Sequence, residues 1–261
     1  MKIHSYRILL LLLWSLNMPT GTTDFNQPLA TDPTSPGQGI AQTGNRLLMG
    51  GGSNSATGRW LFSDGFEDGL AAWNFTASAY ATIEKTTVYQ GAQSLKMSTP
   101  ATLNHVTAAD RFFFPQGKRF GVEFCFGVNI GGPMEIGLKI AGPNSVVGKT
   151  SIASIIIVIS SSGVANLYYD VNGTRTLISN INSYILAIPY YWHYVKFVYD
   201  PYNDAAVRVF FDDLVFDLGN VPGYSVFGGV RYVNVQISVK TTTAAAVSAT
   251  IDNVIITADE P

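Results

Sequence analysis

The feature that most constrains this chain is a repeated two-residue period. Val122, Phe124, Phe126, Val128 and Ile130 alternate with Glu123, Cys125, Gly127 and Asn129. Val233, Val235, Ile237 and Val239 alternate in the same way with Asn234, Gln236, Ser238 and Lys240. Side chains on a strand point alternately to opposite faces, so each run reads as a strand with one apolar face. Ile155 to Ile159 is an unbroken β-branched run. It reads as a central strand covered on both faces, because β-branched side chains favour the extended backbone. Ser161-Ser162-Gly163, Asn172-Gly173, Asp200 to Asp204, Asp212-Asp213 and Gly228-Gly229 punctuate these runs with turn residues. No helical stripe longer than two turns and no internal repeat occurs. The pattern predicts an all-β fold, an antiparallel two-sheet sandwich or barrel over residues 59–261.

The remaining segments differ in composition. Residues 1–22 read as a secretory leader or an N-terminal anchor. Lys2 and Arg7 precede the short apolar run Ile8 to Leu16, too short for the roughly 20 residues that span a bilayer. Residues 23–58 are rich in Thr, Ser, Gly, Pro, Asn and Gln, and read as a flexible tail or linker, or as an arm that orders on a neighbouring subunit.

Charge and cysteine content exclude several functions. The 261 residues include 16 basic and 18 acidic side chains, so no basic excess exists to neutralise phosphates and no nucleic-acid partner is expected. The lone Cys125 rules out an internal disulfide and cysteine-based zinc or iron–sulfur centres. His4, His105 and His193 have no metal-ligand spacing. No Gly-x-Ser-x-Gly elbow or phosphate-binding glycine loop occurs. Glu123 and Glu135 each stand alone in their strands, where a glycosidase needs paired carboxylates. His193, beside Trp192 and Tyr194, is the best candidate for a catalytic histidine, and its place in an apolar strand favours a structural role. The sequence reading is of a protein that is not an enzyme.

Aromatic residues give the clearest functional hint. Adjacent strand residues face opposite sides, so one ring of each pair Tyr168/Tyr169 and Tyr190/Tyr191 is expected to be exposed or near a loop. Tyr169, Tyr190 and Tyr191 are the candidate ligand-binding rings, serving to stack on a sugar, to contact a protein, or simply to pack. Phe112-Phe113-Phe114 exceeds what one strand face buries and points to a contact with a subunit or with the tail.

Several stretches carry a family resemblance. Leu61 to Trp73 (LFSDGFEDGLAAW), Val88 to Lys96 (VYQGAQSLK), Tyr191 to Asp200 (YWHYVKFVYD) and Ile251 to Ile256 (IDNVII) resemble, in order and spacing, strands of the concanavalin A-like and laminin-G-like jelly rolls, a group that includes carbohydrate-binding modules. The resemblance implies a two-sheet jelly roll and a non-catalytic extracellular or cell-surface module for a glycan or cell-surface polymer. The alternative is a structural virion or surface-assembly protein, a decoration or tail-associated subunit whose jelly roll and N-terminal arm form a homo-oligomer or bind an assembly partner. The resemblance also implies one structural calcium, held by Glu67, Gly91 and Asp252 with Asp64 or Asp68 as an extra ligand. Such a hard cation wants several oxygen donors.

Overall fold

The computed structural model describes residues 59–115, 117–129, 131–181 and 191–261. The expected leader, the expected tail and Tyr190 lie outside the described residues. The described chain is built almost wholly of strands. These are β1 (Arg59–Asp64), β2 (Asn74–Thr76), β3 (Ala81–Glu84), β4 (Ser94–Thr99), β5 (Val106–Phe113), β6 (Phe120–Asn129), β7 (Met134–Pro143) and β8 (Lys149–Ile159). They continue with β9 (Ala165–Val171), β10 (Thr174–Ile181), β11 (Trp192–Asp200), β12 (Ala205–Phe211), β13 (Leu214–Val221), β14 (Tyr224–Phe227), β15 (Val233–Thr241) and β16 (Val247–Ala258). One 3₁₀ turn, Ser78–Tyr80, interrupts them. No described helix is long and apolar enough to cross a membrane.

The strands form two antiparallel eight-stranded sheets. Sheet A runs β13-β12-β11-β6-β16-β4-β3, with β1 also on β16. Sheet B runs β10-β9-β8-β7-β15-β5-β2, with β14 on β8. This is the expected jelly-roll sandwich. The alternating residues supply its core: Val122, Phe124 and Phe126 from β6 meet Val233, Val235, Ile237 and Val239 from β15, all buried. Full burial of such a side chain contributes about 1.5–3 kcal/mol.

The predicted turns fall between strands. Asn172 and Gly173 join β9 to β10, and both adopt positive φ, 51° and 84°. That pair of left-handed residues makes the tight connection whose twist matches a hairpin. The Ile155–Ile159 run departs from expectation. Ile155, Ile157 and Ile159 are buried, while Ile156 and Val158 are only half-buried. The strand keeps its alternation, because among the described residues no further layer covers the outer face of sheet B.

Strand β16 organises sheet A. Its first half pairs with β4 (Val247↔Thr99 to Ile251↔Leu95) and its second half with β1 (Val254↔Asp64 to Ala258↔Arg59). Where one partner gives way to the other, the register against β6 shifts between Asp252 and Ile255, and Asn253 takes φ 53°. This is a bulge in the sense of one extra residue bending the strand. On the face of sheet A away from the core, Lys196 is wholly buried. Its Nζ lies 2.7 Å from Glu260 Oε1 and 3.4 Å from Glu123 Oε2. Tyr194 donates its hydroxyl to the same Glu123 carboxylate at 2.9 Å. A buried charge must be paired, and two carboxylates do so here.

Candidate functional site

Registry across sheet B arranges its outward side chains in transverse rows. The central row is Tyr168, Ile156, Gly137, Ser238 and Ala108, from β9, β8, β7, β15 and β5 in turn. On one side lies Asp170, Ser154, Lys139, Gln236 and Asp110. On the other lies Asn166, Val158, Glu135, Lys240 and Val106. The middle of the central row is made of small residues, and both flanking rows are largely polar. A depression of about 210 Å³ results, with Gly137 and Ser238 among its lining residues. Gly137 keeps its centre low. A Cβ there would fall 2.5 Å from Ser238 Oγ.

Charged side chains frame the depression. Arg175, on β10, reaches across β9 and β8 and donates to both oxygens of Glu135, at 2.8 Å each. That two-pronged bond holds the guanidinium above its ordinary pKa. Lys240 Nζ stands 3.4 Å from Glu135 Oε2, and Asp170 Oδ2 stands 3.7 Å from Arg175 Nε. Asp110 Oδ1 accepts from Gln236 Nε2 at 2.9 Å and from Asn234 Nδ2 at 3.2 Å. Lys139 is half-buried between Ser154 and Gln236. Burial lowers its pKa from the usual lysine range, against the opposing charge of Asp110.

The expected tyrosines do not gather on this face. Tyr169 points into the core, 3% exposed, with its ring 6.4 Å from that of Phe197. This corrects its assignment as a ligand-binding ring: a core side chain has no free face to stack on. Alternation on β9 turns Tyr168 outward instead, beside Ile156. Tyr191 is 55% exposed but precedes β11 of the other sheet, its ring 5.0 Å from His193. His193 is buried, stacked on Phe211 with Nδ1 2.8 Å from Asp212 Oδ2. Phe112 and Phe114 are 41% and 77% exposed, as the crowding of that stretch implied.

The expected calcium ligands are brought to one corner. The turn carrying Gly91 folds between Glu67 and Asp252. Asp252 Oδ2 accepts from the amides of Tyr89 and Gln90, both at 3.0 Å, and its Oδ1 accepts from Asn253 N at 2.7 Å. Glu67 Oε1 accepts from Ala92 N at 2.7 Å and Gln93 N at 3.3 Å. Burial pushes the Asp252 pKa up to about 7 against its three amide donors, and the charge of Glu67 adds to the rise. Asp64 turns away, accepting from Phe66 N at 2.6 Å and Trp73 Nε1 at 2.8 Å. Among the described residues no group of three or more His, Cys, Asp or Glu side chains is arranged to hold a metal.

The rows on sheet B were hidden from sequence reasoning. Glu135 looks solitary along β7. Its partners Arg175 and Lys240 come from strands 40 and 105 residues further on, and only the strand order joins them. The signal that was present is the polar half of the alternation, Gln236-x-Ser238-x-Lys240 and Glu135-x-Gly137-x-Lys139.

No family model matches the sequence, and no curated protein matches it either. Solved structures share the architecture. A carbohydrate esterase from the Shiga toxin-encoding bacteriophage phi24B aligns with a TM-score of 0.52 at 14% identity, covering 76% of this chain and 98% of its own. A GlcNAcα1-4Gal-releasing endo-β-galactosidase from Clostridium perfringens aligns with a TM-score of 0.50 at 12% identity, covering 77% of this chain and 62% of its own. Lectin I-B4 from Griffonia simplicifolia aligns at 0.44 and 12% identity, covering 75% and 98%. At such identities the likeness is one of fold. That fold is the antiparallel two-sheet jelly roll.

Proposed function

We propose that the protein is a glycan-binding module that lays a polysaccharide across the outer face of sheet B and does not cleave it. The observation that carries this reading is the depression itself. It has a low floor at Gly137, with Ser154, Gln236, Ser238 and Lys139 around it to hydrogen-bond hydroxyls and Ile156 to cover an apolar sugar face, and Tyr168 stands next to Ile156 in the same row, outside the depression. The esterase and endo-β-galactosidase of this fold act on carbohydrates by name, in keeping with a sugar ligand. The acids of the face are occupied: Glu135 by Arg175 and Lys240, Asp170 by Arg175, and Asp110 by two amides. A carboxylate already paired with cations is poorly placed to act as the general acid that hydrolysis needs, which supports holding over hydrolysis. Affinity electrophoresis against a polysaccharide panel tests the reading. Binding is expected, with no new reducing ends, and it is expected to vanish in Ser154→Trp, which fills the depression. Binding that survives in Ser154→Trp, or release of sugar ends, would overturn it.

Export to the cell exterior belongs to the same proposal, supported by the leader-like residues 1–22. So does a structural calcium. The hard oxygens of Glu67 and Asp252 fit that ion, and the raised pKa of Asp252 marks a carboxylate whose charge is poorly compensated. A cation there would bind only the folded state and raise the melting temperature. The expected rise on adding calcium disappears in Glu67→Gln. No change in melting temperature between calcium and chelator would remove calcium from the proposal.

One observation favours the assembly reading. Val147 and Phe227 are 97% and 88% exposed and sit together where Gly228 N donates to Gly148 O at 3.0 Å. Light scattering that gives a defined oligomer, dispersed by Phe227→Ser, would favour it.

A further inference from the structure

We propose that the polysaccharide bound on sheet B is anionic, bearing carboxylate or sulfate groups, and that Lys139 is the residue that pairs with its charge. The inference rests on the glycan-binding reading above and sharpens it. The lining of the depression carries three cations, Lys139, Arg175 and Lys240, and one carboxylate, Glu135. Arg175 and Lys240 both lean on that carboxylate. Lys139 does not: among the described residues it has no ion-pair partner. Asp110 is the acid whose charge reaches it. Gln236 stands between the two in the row, and Asp110 Oδ1 is already bonded to two amides.

A half-buried ammonium with no carboxylate in contact is an unfavourable arrangement in the free protein. Burial alone drives its pKa down. An anion arriving over Gly137 would restore the missing charge pairing in a partly desolvated place, where the interaction exceeds that of an open surface pair. The surroundings suit a carboxylate or sulfate on a sugar. Ser154 and Gln236 flank Lys139 in its own row and offer hydroxyl and amide groups to the remaining oxygens. Gly137 and Ser238, in the adjoining row, leave space for a ring. Lysine's compact, swivelling charge tolerates either anion. A free phosphate or small acid would gain the charge but waste the depression, which extends across several strands.

The test is affinity electrophoresis and calorimetry on the full chain with a polyuronate, a sulfated glucan and unmodified glucan as probes. Wild-type protein is expected to bind at least one of the acidic polymers roughly tenfold or more tightly than the neutral one, and to lose that preference as salt rises. Lys139→Met keeps the aliphatic stem, and Lys139→Gln provides a second, polar variant. Both are expected to keep the wild-type circular-dichroism spectrum and to lose the preference. The polyuronate loses binding when its carboxylates are protonated in acid and the sulfated glucan does not, which separates the two sources of charge. Equal binding of neutral and acidic polymers, or an unchanged preference in both Lys139 variants, would overturn the inference and leave the glycan-binding reading standing. No binding of any glycan by the wild type would overturn both.

Discussion

Gly91 holds a backbone angle of φ +79°, and a Cβ on it would collide with the Glu67 carboxylate that receives the next amides of the turn. Left-handed backbone costs an ordinary residue about 1–2 kcal/mol. Gly91→Ala is therefore expected to lower stability by at least that amount, read as a drop in the urea midpoint at constant slope. A second residue-level prediction concerns Glu84. Its Oε1 accepts from Thr86 Oγ1 at 2.6 Å, Thr86 N at 2.8 Å and Lys85 N at 2.9 Å. The Thr86 bonds above all lower its pKa from the ordinary 4.5 to about 2. Because the folded value lies below the unfolded one, the contribution to stability is present above pH 4.5 and fades as pH falls toward 2. Side-chain carbon NMR should place the Glu84 midpoint near 2, and Thr86→Val should move it upward; a wild-type midpoint at the ordinary value would refute the assignment.

Strand β9 shows how far an element can be read from its sequence. The alternation Leu167, Tyr169 against Asn166, Tyr168, Asp170 states that the two tyrosines part company, and they do. It also groups Tyr169 with the apolar Leu167 and Tyr168 with the polar Asn166 and Asp170, so the inward ring was legible in the pattern, and the register of β9 against β8 agrees. There Tyr169 lands opposite Ile155, whose side chain points inward. Tyr169→Ala is accordingly expected to cost about 3–5 kcal/mol, as for other large aromatics removed from a core. Tyr168→Ala should leave the unfolding midpoint nearly unmoved and weaken glycan binding. The reverse ranking in parallel unfolding curves would mean that β9 is shifted by one residue. The corner site was less legible. Glu67, Gly91 and Asp252 were identifiable through resemblance to known strands, and the fold does bring them together. That Asp252 and Glu67 spend their oxygens on the amides of Tyr89, Gln90, Ala92 and Gln93 depends on how the turn closes, which no spacing along the chain records.

At the scale of the molecule, the pairing is mostly between distant parts of the chain. β1 meets β16 across nearly 200 residues, with Arg59 opposite Ala258. β6 and β16 lie inside sheet A with partners on both sides, whereas β10 and β13 are edges with mostly exposed residues. Hydrogen exchange should therefore be slowest in β6 and β16 and fastest in β10 and β13; equal protection of centre and edge would contradict this order of stability. All-β chains with such long-range closure fold slowly, in milliseconds to seconds, so β16 becomes central only after most of the polypeptide exists. The union of β1 with the second half of β16 also settles how the molecule can be tethered. Any polypeptide fused ahead of Arg59 or behind Ala258 departs from neighbouring points on one layer. A support joined just ahead of Arg59 or just behind Ala258 would hold the protein by sheet A and leave the Lys139 hollow on the other layer.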